Sequence, residues 1–99
     1  MVFSKTLFLN VNILINLGNL QGAKLSYIKT IEFKPNFAEA HSDLGNVFTY
    51  LGELEKAKTS YLKAIQLKPN FPKAHYNLGS VLMNLGDLQG AKLSCLKAI

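Results

Sequence analysis

The sequence predicts an all-α fold, a solenoid of antiparallel helix-turn-helix hairpins. Three observations predict it: a 34-residue internal period, helical spacing of the apolar residues within each period, and glycine and proline at fixed places between the segments. Lys34-Pro35-Asn36-Phe37 recurs as Lys68-Pro69-Asn70-Phe71, Ala40-His41 as Ala74-His75, and Leu44-Gly45 as Leu78-Gly79, each pair 34 residues apart. Leu17 to Ser26 returns almost unchanged as Leu85 to Ser94 at twice that offset. A period of this length marks a repeat array in which each unit buries its apolar face only against its neighbours.

The units run over about 4–37, 38–71 and 72–99, all within a single domain covering 1–99. In the middle unit Leu54, Ala57, Tyr61, Ala64 and Ile65 follow the spacing of one buried helical stripe. Gly18, Gly52 and Gly86 each follow a leucine between the two halves of a unit, where a helix can end in a left-handed residue. Each unit is therefore expected to be a hairpin. Pro35 and Pro69 close the units, and Asn36 followed by Glu39 reads as an N-cap with a capping box. Gly45 and Gly79, mid-helix, cost about 1 kcal/mol each against alanine, so a neighbouring backbone is expected to come close there, with Ala57 and Ala91 as partners.

These residues resemble the tetratricopeptide repeat family: the 34-residue period, Leu44-Gly45, Leu51-Gly52, Ala57, Tyr61, Ala64 and Pro69, then Leu78-Gly79, Leu85-Gly86, Ala91 and Ala98. The resemblance covers about Ser4 to Ile99. It implies a right-handed superhelix whose first helices line a concave groove. Two departures stand out. Asn10 and Val11 replace the Leu-Gly pair in a degenerate first unit, and the third unit stops at Ile99 inside its second helix.

The resemblance places ligand contacts on the first helices. Asn12 and Asn16 fall there in the first unit, Asp43, Asn46 and Tyr50 in the second, and Lys73, Tyr76, Asn77 and Asn84 in the third. Amides can both donate to and accept from an extended peptide, and the aromatic rings add adaptable apolar contact. The carboxylate clamp found in some relatives is matched by Asn12 and Lys73. Phe8, Asp43 and Asn77 hold its remaining places, and Asp43 would repel an acidic tail.

Composition narrows the alternatives. The chain has 99 residues, 48% hydrophobic and 17% charged, which excludes disorder. All eleven basic residues are lysines, giving a formal net charge of +5, and their scatter at helical spacing reads as solvated faces rather than specific nucleic-acid recognition. The apolar stretch Met1 to Leu17 is interrupted by Asn10, Asn12 and Asn16, so neither a membrane span nor a signal peptide is expected. The single cysteine, Cys95, fits a reducing compartment, and a cytoplasmic location is expected.

His41 and His75 fall on successive first helices, too far apart to share a metal ion, and are read as packing residues. Cys95 has no base near it in sequence and is read as a small core residue, or as one exposed only because no further repeat covers it. No catalytic motif, cofactor or metal is expected. The predicted function is a protein-interaction scaffold that holds a peptide or protein segment. Two alternatives stand beside it: the repeat arm of a larger enzyme such as a protein O-glycosyltransferase, loosely suggested by the asparagine-rich first helices, and a homo-oligomer formed through uncapped ends.

Overall fold

The computed structural model describes the backbone from Val2 and the side chains from Gly18 to Ile99. Five helices follow one another: α1 (Val2–Phe33), α2 (Ala38–Tyr50), α3 (Leu54–Leu67), α4 (Pro72–Asn84) and α5 (Leu88–Ala98). There is no strand among the described residues. α2 packs along α3 and α4 along α5, α1 lies against α2 and α3 against α4, so each helix is stacked on the next.

The two hairpins turn alike. α2 ends at Leu51, and Gly52 follows with φ +78°. The Gly52 N–H donates to the Thr49 carbonyl at 3.0 Å, and the Glu53 N–H to that of Phe48 at 2.9 Å. Gly86 repeats this with φ +87°, donating to Met83 at 3.1 Å, while the Asp87 N–H donates to Leu82 at 2.8 Å. This paired closure satisfies helix-end carbonyls and needs a residue that tolerates positive φ. Asp87 then caps α5, its Oδ1 accepting from the Gly90 N–H at 2.9 Å.

The mid-helix glycines make the hairpins close. A Cβ on Gly45 would lie 2.7 Å from the Tyr61 ring, and one on Gly79 would lie 2.7 Å from Cys95 Sγ and 3.3 Å from the Ala91 carbonyl. The expected partner Ala57 is fully buried but is not what meets Gly45. The ring of Tyr61, one turn further along α3, takes that place. Around these contacts Leu44, Phe48, Ala57, Tyr61, Leu78, Val81, Leu82 and Ala91 form the core, with Tyr27, Ile28 and Ile31 of α1 packed against it.

The first unit corrects the expectation of a hairpin. α1 runs unbroken through Gly18, which has no positive φ, and no Cβ contact waits at Gly18 or Gly22. The cause lies in the sequence, where Val11 and Tyr27 stand at the places of Gly45 and Tyr61. A branched side chain would occupy the space in which the other hairpins accept not even a Cβ, so closure is opposed by overpacking. Continuing the helix leaves two glycines inside it, at about 1 kcal/mol each against alanine.

The connections also differ in one respect from the reading of sequence. Asn36 does not cap α2. Phe37 takes the N-cap position without a side-chain bond, and Phe71 does the same before α4, where Pro72 opens the helix. With the helix starting at Ala38, Glu39 lies in its first turn. A backbone hydrogen bond there, with help from Lys68 at 3.3 Å, holds its carboxyl below the usual value. The loops are fastened instead by histidine: His41 Nε2 lies 2.9 Å from the Pro35 carbonyl and His75 Nε2 2.9 Å from the Pro69 carbonyl. Since a carbonyl only accepts, both rings carry their proton on Nε2.

Candidate functional site

On α2, Asp43, Asn46 and Tyr50 are spaced three and four residues apart and share one stripe; Lys73, Tyr76, Asn77, Ser80 and Asn84 share one on α4. The two stripes are joined. Asn77 Nδ2 donates to Asn46 Oδ1 at 3.1 Å, and the Tyr61 hydroxyl donates to the same oxygen from below. Thr49 Oγ1 lies 3.4 Å from the Tyr61 hydroxyl and donates to the Gly45 carbonyl at 2.8 Å. The glycine that admits the Tyr61 ring thus lets its hydroxyl reach through to the face beyond α2.

Burial pushes the Tyr61 phenol above its ordinary value; the Thr49 bond opposes this, and Tyr50 and Asp43 add to it. Asp43 is half-buried, and Lys73 is exposed; neither has an ion-pair partner among the described residues. Around this polar centre Tyr50 is 75% exposed and Tyr76 61%. Glu39, by contrast, is engaged with Lys68.

Asn46 spends its carbonyl on two internal donors and keeps its amide N–H groups, while Asn77 spends one N–H and keeps its carbonyl. A donor and an acceptor from successive repeats therefore stand side by side, the pair that one backbone peptide unit needs. Asn84 lies further along α4, exposed, without a hydrogen bond to these groups. The side chains of Asn12 and Asn16, and of Phe8 at the clamp place, lie outside the described residues. Thr49 was expected on this face from sequence; Tyr61 was not. Its signal was Gly45 opposite an aromatic ring, with hydroxyl and amide residues one turn further along.

The other chemically capable side chains have structural duties. The histidines bind loop carbonyls, Cys95 is half-buried against Gly79, and no group of three or more His, Cys, Asp or Glu among the described residues could hold a metal ion. No helix among the described residues is long and apolar enough to cross a membrane.

Comparison with known proteins agrees with this architecture. Residues 45–86 match a family model described as TPR repeat. Two crystal structures of MamA superpose with TM-scores of 0.79 and 0.76 at 28% and 25% identity, each over 85% of this chain. The chain spans about half the length of those proteins, 49% and 46%. The second TPR of Spaghetti (RPAP3), solved bound to the HSP90 peptide SRMEEVD, superposes with a TM-score of 0.80 over 88% of this chain and 81% of that one, at 22% identity. No curated protein matches the sequence.

Proposed function

We propose that this chain, whose residues 45–86 match a TPR repeat model, is a protein-interaction module whose α2–α4 face holds an extended segment of a partner protein. The observation that carries the reading is the Asn46–Asn77 bond. It fixes one free donor and one free acceptor of neighbouring repeats next to each other. Tyr50 and Tyr76 flank them as apolar contacts, and β-strand-like ligands use backbone bonds for affinity and side-chain pockets for choice.

The same geometry argues about the ligand's charge. Asp43 lies close enough to raise the Tyr61 phenol, so the α2 side of the face disfavours a carboxylate, while Lys73 on α4 favours one. A segment with a cationic residue over α2 and an acidic one over α4 suits this face better than a uniformly acidic tail does. The likeness to a peptide-bound structure supports the fold's capacity to display a segment, and at 22% identity it carries no residue roles. No catalytic role is assigned to any of these residues.

The test is Tyr50→Ala, Tyr76→Ala, Lys73→Ala and Asn77→Ser together. Asn46 is left intact because it also accepts from Tyr61, and its loss would confound folding with binding. The variant is expected to keep the parent's helical circular dichroism and to lose the partners that the parent retains from cell extract. A folded variant that keeps every partner would remove the assignment.

A further inference from the structure

The outer sides of the two hairpins each carry a cleft, and the two differ in what lines them. A groove of about 300 Å³ lies between α3 and α5 with α4 as its floor. Leu62 and Ile65 of α3 and Leu93 of α5 form its walls, Leu78 and Leu82 its base. At 100° per residue, His75, Leu78 and Leu82 point to the side of α4 opposite Tyr76, Ser80 and Met83, so this groove faces away from the site described above.

Three substitutions between equivalent positions make it more apolar than its counterpart, a cleft of about 320 Å³ lined by Phe48, Glu55, Lys56, Thr59 and Ser60. Phe48, Lys56 and Thr59 of the second unit correspond to Leu82, Gly90 and Leu93 of the third. In the second unit Lys56 Nζ lies 5.9 Å over the Phe48 ring and is anchored by Glu53 at 3.6 Å, so a cation and an aromatic ring line that cleft. In the third unit the ring is replaced by a smaller side chain and the lysine by glycine. The wall residue that was a threonine becomes Leu93, 60% exposed, and Leu62 opposite is 48% exposed.

Charge gives the groove a polarity. Lys58 and Lys97 line it, and neither has a carboxylate partner among the described residues. Its acid, Asp87, already caps α5. From these observations we propose that the groove between α3 and α5 is a second protein-docking site, taking the apolar edge of an acidic amphipathic helix. Leucine-like anchors enter between Leu62 and Leu93, and carboxylates on the flanks meet Lys58 and Lys97. A lone exposed leucine needs no explanation, but two facing each other across a cation-lined cleft are what such a helix buries.

The probe is a fluorescent helical peptide of about 14 residues, some 21 Å long, with leucine at every third or fourth position and glutamate elsewhere. Its twin carries lysine for glutamate. Binding is read by fluorescence anisotropy on the full chain. The glutamate peptide is expected to bind at least about tenfold more tightly than its twin, and Lys58→Gln with Lys97→Gln to weaken it by about fivefold or more. Leu82→Phe with Leu93→Thr installs the second unit's own residues and is expected to abolish binding, with circular dichroism confirming the fold. The lysine variant tests the site without touching the core. Equal binding of the two peptides, no binding by the glutamate peptide, or insensitivity to the lysine changes would overturn the proposal. Loss through Tyr50→Ala and Tyr76→Ala instead would assign the peptide to the inner face and overturn it equally.

Discussion

Leu17 to Ser26 and Leu85 to Ser94 differ in a single residue of ten, Asn19 against Asp87, yet one lies inside a continuous helix and the other folds around a turn. Local propensity cannot separate them. Gly86 accepts φ +87° because α4 and α5 have somewhere to go once the chain reverses: Gly79 opens a gap that Cys95 fills. Gly18 has the same neighbours in sequence, but the helix before it offers Val11 in place of that glycine. The turn is therefore the result of helix contact, and the turn sequence only permits it.

The largest effect should come from carrying the first unit's feature into the third. Gly79→Val places branched carbon where Cys95 Sγ and the Ala91 carbonyl stand at 2.7 and 3.3 Å. It is expected to cost about 3 kcal/mol or more by overpacking. Thermal denaturation followed by circular dichroism measures the loss, and faster reaction of Cys95 with a disulfide reagent would show that α4 and α5 have parted. An unchanged melting temperature would sink the explanation of why α1 does not turn.

Next come two alanines with opposite signs. Gly86→Ala forces a side chain into positive φ and should destabilise by about 1–2 kcal/mol. Gly18→Ala, in a helix with open space around it, should stabilise by up to about 1 kcal/mol. Chemical denaturation midpoints of the two variants compare them directly. If both lose stability equally, α1 turns in solution after all.

The smallest effect is the polar seam that only a closed hairpin creates. Tyr61→Phe removes the bond to Asn46 and should cost about 1 kcal/mol at neutral pH. The sign of its pH dependence follows from the raised phenol. Tyr61 contributes fully below the unfolded value of about 10 and loses that contribution as pH rises through its higher folded value. The gap between parent and variant should therefore narrow above pH about 10. At the other end Glu39, whose folded value is lowered, supports the fold above the ordinary carboxylate range and gives up that support as pH falls. Melting curves from pH 3 to 11 on parent and variant test both directions.

The repeat, the helix spacing and the closing prolines were legible in the sequence because each is local. The bonds of His41 and His75 to the Pro35 and Pro69 carbonyls could not be read there, because they join each ring to a loop six residues away. Gly18 misled because its flanking residues copy those of Gly86, and the deciding residue, Val11, acts through a helix it would have to meet. Asn36 misled in a similar way: it has the chemistry of a cap, but the helix begins one residue later than a cap there requires. On the inner face the stripes of α2 and α4 could be read from spacing. The bond between Asn46 and Asn77, and the Tyr61 hydroxyl beneath it, could not, because they join residues 31 and 15 positions apart in sequence.

The unbroken course of α1 also sets a ruler. Among the described residues only α2 and α4 stand as first helices of closed hairpins, and they carry the two stripes that the Asn46–Asn77 bond joins. Helices packed 8–10 Å apart give a wall of about 20 Å. At about 3.3–3.6 Å per residue an extended chain crosses that distance in about six residues. On the proposed function, recognition by this face is a matter of short words: a handful of side chains read at two adjacent stations, with every further letter of the partner left to the surfaces outside.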